Sequence, residues 1–341
     1  MAKPVRIAVI GLGSMGANHA RVLAGLPDAG LVAVADPNAA RLGEYAHGAT
    51  AYADYRELLA NERLDAVTIA VPTRLHLEVA LACVERGLPL LVEKPIATDA
   101  EEGEELRAAA EAGGVPLMAG HIERFNPAVR ELKRRLAAGE AGRVLELRAR
   151  RVGPFYQRQR DVGVVHDLAT HDIDVMRDLL GCEVERVQAE TQEGVLTQYE
   201  DALTGLLRFE DGAIGVLDVN WLTPVKVREL VVLGERGMFV VDYIAQELRF
   251  RQSDAAEVLA HPEVWPPKLP SAPVEEGLTL VPVVREEPLR AELAAFLAVV
   301  RGEASPPVSA ADAIAALRVA EALVEAGRRG SQVRVAAGRA S

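Results

Sequence analysis

A lysine at a strand end is the first side chain in this sequence whose type and position could do chemistry. The run Glu93-Lys94-Pro95 directly follows the apolar stretch 88–92, which is typical of a buried strand. An ammonium at such an edge can donate a hydrogen bond to a substrate hydroxyl and stabilise a developing alkoxide. A surface lysine is the simpler interpretation. Lysine is scarce in this arginine-rich chain and Pro95 fixes the turn, so the sequence favours a functional Lys94.

A histidine between two aspartates is the second such group. If residues 167–174 are helical, Asp167, His171 and Asp174 share one helix face at spacings i, i+4 and i+7. A histidine beside a carboxylate is suited to accept a proton near neutral pH. The same residue types at helical spacing also bind metal ions, and aspartates stabilise a helix N-terminus through its dipole. These residues alone leave catalysis, metal binding and a structural role open.

A glycine-rich turn near the N-terminus indicates which ligand lies beside them. Gly11-Leu12-Gly13-Ser14-Met15-Gly16 stands between a strand-like run, 5–10, and a helix-like run, 17–23. A second strand-like run ends in Asp36, at the spacing expected of a dinucleotide site. The glycines let a pyrophosphate approach backbone N–H groups at a helix N-terminus. Asp36 can accept hydrogen bonds from a ribose and would repel a 2′-phosphate, which predicts NAD over NADP. Arg41, one helical turn on, could reach a 2′-phosphate and weaken that preference.

The order of elements predicts two domains. Strands alternate with helices through the first third of the chain, which is typical of a parallel, doubly wound sheet. From about residue 143, strands with period-two alternation follow one another through short turns, as in a mostly antiparallel sheet. We therefore expect an α/β protein with an NAD-binding Rossmann domain over residues 1–121. A substrate-binding and oligomerisation domain with an α+β fold and a large open sheet should follow over residues 122–330.

Shorter segments of the sequence lead to further structural predictions. One helix, near residues 172–180, is expected to interrupt the second sheet. The C-terminal amphipathic helices are candidates to pack back on the first domain, and the tail after Arg328 is expected to be frayed. The Pro-rich stretch 253–288 is ambiguous.

Composition narrows the class of partner. A net charge of −12 argues against nucleic acid or an anionic membrane, although a small anionic ligand needs only a local cationic pocket. The two cysteines, Cys83 and Cys182, form no disulfide framework, which suits a reducing cytoplasm. The chain starts without a signal-peptide pattern, and no apolar run approaches the roughly 20 residues of a membrane helix. These observations predict a cytoplasmic protein with a small-molecule substrate.

The motifs together resemble those of the Gfo/Idh/MocA oxidoreductases. The glycine turn, Asp36, the turn 71–73 with His76, Glu93-Lys94-Pro95 and Asp167-x-x-x-His171 occur in the family's order over essentially the whole chain. The resemblance implies an NAD-dependent oxidoreductase acting on a CH–OH group, with a cis-proline at Pro95 and no resident metal. It implies three catalytic residues, which are Lys94, Asp167 and His171. It also implies the residues that contact NAD, which are Gly11, Gly13, Ser14, Met15, Gly16, Asp36, Pro72, Thr73, His76, Glu93 and Lys94.

Two further segments are similar to those of the family's UDP-N-acetylglucosamine 3-dehydrogenases. They are residues 120–129 and the arginine-rich residues 150–165. This likeness implies NAD-dependent oxidation of the sugar 3-hydroxyl, with the substrate held by Arg124, Asn126, Arg158, Arg160, Asp167 and His171. Arginine pairs with phosphate through two parallel hydrogen bonds, so a cationic wall for a diphosphate could come from Arg150, Arg151, Arg158 and Arg160. A solvated strand face is the alternative for these arginines.

Two other functions also fit the sequence. The first is oxidation of inositol or a free sugar by an enzyme of the same family. The second is a regulatory protein that binds NAD without turnover, against which the presence of Lys94, Asp167 and His171 argues. Because exposed sheet faces need covering, we expect a homodimer or homotetramer formed through the C-terminal sheet.

Overall fold

Two compact units make up the chain in the computed structural model, which describes residues 3–155, 162–252 and 277–336. The first unit comprises Met1–Phe125 and Glu287–Arg318, and the second comprises Asn126–Glu286 and Val319–Ser341. The chain therefore enters the second unit, returns to the first, and ends in the second. The boundaries before Asn126 and Glu287 fall next to helices, the boundary before Val319 falls within a helix, and each unit has its own sheet.

A six-stranded parallel sheet forms the centre of the first unit. Its strands run in the spatial order β3-β2-β1-β4-β5-β6, the order of a dinucleotide-binding Rossmann sheet. They are β1 (Val5–Ile10), β2 (Ala29–Ala35), β3 (Thr50–Tyr52), β4 (Ala66–Ile69), β5 (Leu90–Glu93) and β6 (Leu117–Gly120). The continuous apolar runs of the sequence form these strands because helices cover both faces of a parallel sheet.

Helices follow the strands of this sheet. They are α1 (Ser14–Ala24), α2 (Ala39–Tyr45), α3 (Tyr55–Asn61), α4 (His76–Val84) and α5 (Ala100–Ala112), joined in the same unit by α8 (Pro288–Val300) and the first part of α9 (Ala310–Arg329). Asp99 caps α5, because its carboxylate accepts a hydrogen bond from the Glu102 N–H. Leu293 and Phe296 of α8 are fully buried in the same hydrophobic core as β1.

A nine-stranded, mostly antiparallel sheet forms the second unit. Its spatial order is β14-β13-β12-β11-β7-β10-β9-β8-β15, and only the β7–β10 pair is parallel. The strands are β7 (Val144–Val152), β8 (Val184–Glu193), β9 (Glu200–Phe209), β10 (Ile214–Asn220), β11 (Val227–Gly234), β12 (Gly237–Asp242), β13 (Glu247–Gln252), β14 (Thr279–Val281) and β15 (Val333–Arg334). Two helices, α6 (Pro127–Ala137) and α7 (Thr170–Leu180), belong to this unit. The sheet of the predicted second domain is thus confirmed.

The structure corrects two local predictions. The helix expected near residues 172–180 begins at Thr170, and one turn of π-helix, Val165–Ala169, precedes it. Part of the tail expected to be frayed instead adds β15 to the edge of the second sheet, with Val333 opposite Val187, while residues 337–341 lie outside the described residues. The π-helical turn and β15 both depend on tertiary packing, which the hydrophobic periodicity of the sequence does not predict. None of the helices in the described ranges combines the length and hydropathy that a membrane span requires.

A buried ion pair joins α7 to β7 in the second unit. The Arg151 guanidinium donates two hydrogen bonds to the Asp172 carboxylate, Nε to Oδ2 at 2.7 Å and Nη2 to Oδ1 at 3.0 Å. Its carbon also lies 4.9 Å from the centre of the Tyr243 ring. The Arg151 and Asp172 side chains are only 4% and 1% exposed. Removing one partner would leave the other as an uncompensated charge in a medium of low polarity.

We therefore expect Arg151→Met to lower the free energy of unfolding by about 3–5 kcal/mol, measured by chemical denaturation. Arg150→Met is the matched control, because Arg150 is 52% exposed and pairs with an exposed Asp218 at 3.2 Å. It should change stability by no more than about 1 kcal/mol. Adding Asp172→Leu to Arg151→Met should recover most of the loss. Equal effects at positions 150 and 151 would contradict this account.

Candidate active site

The glycine turn after β1 has the geometry of a dinucleotide cradle. Gly11 has a φ of +90°, and a Cβ there would lie 2.6 Å from the Ala70 carbonyl oxygen. A Cβ at Gly16 would lie 1.7 Å from the Gly11 oxygen, so neither position accepts a side chain. At Gly13, by contrast, no atom lies within 4 Å of that position, and no side chain caps the N-terminus of α1. The open first turn can therefore donate to a pyrophosphate, with Ser14 exposed beside it.

Asp36 closes the adenosine side of this cradle. Its carboxylate is 4% exposed and accepts hydrogen bonds from the Leu12 N–H at 2.7 Å and the Asn38 N–H at 2.8 Å. These bonds hold the carboxylate at the end of β2 and leave further lone pairs for ribose hydroxyls. Arg41 lies 3.5 Å from the same carboxylate, and its side chain is 49% exposed. The residues present thus fit NAD at both the pyrophosphate and the ribose.

The turn that carries Lys94 is held by buried histidines. The Lys94–Pro95 peptide bond is cis, as expected. The two ring nitrogens of His76, at the start of α4, each lie 2.9 Å from a carbonyl oxygen, Nδ1 from that of Pro95 and Nε2 from that of Val71. On the other side, His19 Nε2 hydrogen-bonds the Glu93 carboxylate at 2.9 Å. Lys94 itself is partly exposed.

These contacts refine the expected contacts to NAD. The side chains of His76 and Glu93 are buried and engaged with protein atoms, so the structure places them as supports of the Lys94 turn. Pro72 is exposed and Thr73 is buried in the short turn before α4, while Met15 is partly exposed in the first turn of α1.

Asp167 lies in the π-helical turn of the second unit, and His171 lies in the first turn of α7 directly after it. Because a π turn has more residues than an α turn, the expected regular i, i+4, i+7 face does not extend through residue 167. Asp167 and His171 are both partly exposed, whereas Asp174 is fully buried. Asp174 is therefore separated from the other two by burial. Asp172, beside His171, is the residue that fixes α7 through Arg151.

Besides Asp167 and His171, four residues are expected to bind substrate. Arg124 already faces a carboxylate, Asp312, at 3.5 Å and donates to the Pro307 carbonyl oxygen at 3.4 Å. The Asn126 amide is 2% exposed, caps α6 by accepting from the Ala128 N–H, and donates to the Tyr243 carbonyl oxygen. Arg158 and Arg160 lie outside the described residues. Arg151 is withdrawn from the proposed cationic wall because Asp172 neutralises it inside the core.

Two buried carboxylates are not among the residues that the sequence predicts to be functional. Glu200, at the start of β9, packs against Gly163, where a Cβ would come within 2.1 Å of Oε1, and lies 3.9 Å from His166 Nδ1. Glu292 lies on the buried face of α8 and is 0% exposed. The signal for Glu292 was its place at an apolar position of an amphipathic helix, between Leu289 and Phe296.

Comparison with known proteins identifies the family. A family described as an oxidoreductase family with an NAD-binding Rossmann fold matches residues 5–121, and the Gfo/Idh/MocA C-terminal domain matches residues 129–240. The chain belongs to the Gfo/Idh/MocA oxidoreductase family. The family, its α/β fold with two sheets and its NAD cofactor are as predicted from the sequence.

Individual relatives agree on the class of reaction. A myo-inositol dehydrogenase from Streptomyces leeuwenhoekii is 37% identical over 68% of this chain and 74% of its own. A UDP-N-acetylglucosamine 3-dehydrogenase from Acidithiobacillus ferrooxidans is 32% identical over 76% of this chain and 81% of its own. The solved structure of the latter covers 95% of this chain and 98% of its own, with a TM-score of 0.81 and 27% identity. This protein is thus an NAD-dependent oxidoreductase of the CH–OH group, in a family of sugar and polyol dehydrogenases.

The surroundings of Asp36 lead to a prediction about cofactor preference. NAD should bind at least tenfold more tightly than NADP, a difference of about 1.4 kcal/mol or more, because a 2′-phosphate would meet the Asp36 carboxylate. Asp36→Asn keeps an acceptor for the Leu12 N–H but removes the charge, so the preference should shrink. Arg41→Ala should widen it. Fluorescence titration with both cofactors measures these ratios, and equal affinities in the wild-type protein would refute the assignment.

Proposed function

We propose that this protein oxidises the 3-hydroxyl of UDP-N-acetylglucosamine with NAD. The observation that carries the proposal is the match to a UDP-N-acetylglucosamine 3-dehydrogenase along nearly the whole chain, with a TM-score of 0.81 to its solved structure. The similarity of segments 120–129 and 150–165 to that group of enzymes supports the same substrate. The proposal assigns the diphosphate to Arg158 and Arg160, since the other two arginines of the expected cationic wall, Arg150 and Arg151, pair with carboxylates.

The proposed reaction assigns a separate role to each of Lys94, His171 and Asp167. Lys94 donates a hydrogen bond to the hydroxyl oxygen and stabilises its developing negative charge. His171 accepts the hydroxyl proton as general base, while Asp167 hydrogen-bonds the substrate and steadies the site. NAD, when bound, supplies the acceptor for the hydride that leaves the same carbon. One C–H and one O–H bond break, and the product is a ketone.

Rigid support explains why a lysine and a histidine at these positions are suited to that task. The Lys94 turn is held on both sides by buried hydrogen bonds from His19 and His76. The α7 helix of His171 is fixed by the Arg151–Asp172 pair. Catalytic groups held in one geometry lose little entropy when the substrate binds.

Oxidation of inositol is the second candidate function. The myo-inositol dehydrogenase is more similar in identity, at 37%, than the UDP-N-acetylglucosamine 3-dehydrogenase, at 32%. The two candidates share the proposed roles of Lys94, Asp167 and His171. They differ in whether a diphosphate is bound, which makes the arginine-rich segment the deciding feature.

We also propose that the outer face of the second sheet mediates self-association into a homodimer or homotetramer. Leu206 of β9 is 49% exposed and Leu233 of β11 is 39% exposed, so this face presents apolar side chains to the surface of the isolated chain. The molar mass in solution, from sedimentation equilibrium, tests this proposal.

Lys94→Ala and His171→Ala should each lower turnover by about 100-fold or more, the usual scale for an oxyanion donor and a general base. Affinity for NAD should change little, because neither side chain is placed at the adenosine half of the cradle. Steady-state kinetics and fluorescence titration measure the two effects. Lys133→Ala is the matched control, because Lys133 is an exposed lysine of α6 that pairs with Asp178. Near-full activity of Lys94→Ala would remove the central assignment.

UDP-N-acetylglucosamine should be oxidised with a much higher kcat/KM than N-acetylglucosamine or myo-inositol. Arg158→Ala and Arg160→Ala should raise the KM for the nucleotide sugar, because arginine–phosphate pairs anchor the diphosphate. Arg148→Ala is the control, since Arg148 is 58% exposed and pairs with Glu146 on β7. NADH formation at 340 nm follows each reaction. Equal rates on inositol, or silent changes at both arginines, would favour the second candidate function.

A further inference from the structure

A buried cluster of one histidine and two glutamates lies directly behind the Lys94 turn. His19 from α1, Glu93 at the end of β5 and Glu292 from α8 each bring one nitrogen or oxygen atom within 4.8 Å of the others. His19 and Glu292 are 0% exposed and Glu93 is 6% exposed. All three belong to the first unit, although Glu292 comes 199 residues after Glu93 in the sequence.

Glu292 is the unusual member of this cluster. Neither of its carboxylate oxygens has a hydrogen-bond partner among the described residues, and it lies on the apolar face of α8. An isolated carboxylate in such surroundings costs several kcal/mol relative to water, whereas a neutral carboxylic acid costs far less. Glu93, by contrast, already accepts a hydrogen bond from His19 Nε2 at 2.9 Å. Glu292 is therefore the carboxyl group of this cluster that favours the neutral form.

The charged groups that face Glu292 point the same way. Glu93 faces it from the end of β5, Glu123 from the 3-10 turn that follows β6, and only His19 among its cluster partners can be cationic. Burial, followed by repulsion from Glu93 and Glu123, raises the pKa of Glu292 well above its ordinary value of 4.5. Two buried carboxylates this close to one another do not readily both ionise, so one keeps a proton.

A bound metal ion is the alternative occupant of such a cluster. Histidine and carboxylate ligands suit zinc or manganese. Two of the three side chains have no exposure, however, and His19 and Glu93 already share a hydrogen bond. A site of this kind needs an entry path and separate lone pairs for the metal. The geometry favours a proton on Glu292 over a bound ion.

We propose that Glu292 holds a proton at neutral pH and, as a neutral positioning residue, packs behind the His19–Glu93 pair that fixes the Lys94 turn. Gly120 makes room for this arrangement, because a Cβ there would lie 3.2 Å from Glu93 Oε1. Ionisation of Glu292 would place a second negative charge behind Glu93. The two carboxylates would then repel one another, and Glu93 would be pushed away from Glu292. The cluster thereby couples the geometry next to Lys94 to one buried proton.

The pH dependence of stability tests the proton directly and does not depend on activity. A folded-state pKa above the unfolded value means that the folded state binds the extra proton, so stability falls as pH rises between those two values. Glu292→Gln removes this penalty while keeping the neutral shape. Relative to wild type, its unfolding equilibrium constant should therefore fall by up to about tenfold per pH unit above pH 5. The two proteins should converge below about pH 4.

Glu287→Gln is the matched control. Glu287 caps the same helix, but it is exposed and pairs with Arg21 of α1, so its substitution should leave the pH dependence of stability close to that of wild type. A ratio between Glu292→Gln and wild type that does not change with pH, or that changes in the opposite direction, would overturn the proposal. Metal bound at one equivalent in dialysed wild-type protein, and lost in Glu292→Gln, would overturn it as well.

Infrared spectroscopy of the folded wild-type protein keeps the proposal testable if Glu292→Gln does not fold. A protonated carboxylic acid band should be present at pH 7 and should vanish at higher pH. In Glu93→Gln, which removes the nearest negative charge, the band should vanish at a lower pH than in wild type, because the repulsion that helps to raise the pKa of Glu292 is gone. Absence of the band in the wild-type protein at pH 7 would overturn the proposal.

One further readout rests on the proposed function of Lys94. If Glu292 positions the turn, the alkaline decline of kcat should begin at higher pH in Glu292→Gln than in wild type, with KM for NAD unchanged. If the wild-type protein had no dehydrogenase activity, the proposed function would be wrong. The stability and infrared tests of the Glu292 proton would still apply, because neither depends on activity. Identical alkaline limbs in two active proteins would refute the positioning role.

Discussion

The turn from Glu93 to Pro95 is the constraint on which the first unit depends. It must leave the core sheet, change direction at a proline and present an ammonium, all within three residues. The fold meets this demand by burying a hydrogen-bonded histidine on each side, His19 against Glu93 and His76 against Pro95. Because β1 and β5 end at the same edge of the parallel sheet, this turn and the glycine cradle open in the same direction. The strand order therefore brings the cofactor cradle and Lys94 to one edge.

Buried charge is arranged differently in the two units. In the second unit, Arg151 and Asp172 neutralise one another with two hydrogen bonds, so the pair is inert as long as both partners remain. In the first unit, the cluster of His19, Glu93 and Glu292 contains two carboxyl groups and one histidine. The proposed proton on Glu292 avoids a second buried negative charge. The first arrangement fixes a helix. The second can respond to pH, because its charge depends on a titratable group.

The family explains the class of chemistry, while local side chains decide the substrate. Relatives that act on inositol and on a nucleotide sugar match this chain at 37% and 32% identity. A shared Rossmann sheet, glycine turn and lysine can serve both, because oxidation of a hydroxyl next to NAD places the same demands on the protein. A diphosphate adds a separate demand for cations. In a chain of net charge −12 these must be concentrated locally, and two of the four arginines first considered for this, Arg150 and Arg151, pair with Asp218 and Asp172.

The sequence by itself determined the features that are local. A strand, a glycine turn and a helix with Asp36 at the next strand end predict the dinucleotide cradle, because glycine geometry and strand spacing act over about 30 residues. The change from alternating helices and strands to successive strands likewise predicted the second sheet. Only the tertiary structure decided the partners of Arg124, Arg151 and Glu292. Each is a charged residue whose neighbours in the folded protein are distant in the chain, and burial and charge pairing depend on folded proximity and not on sequence spacing.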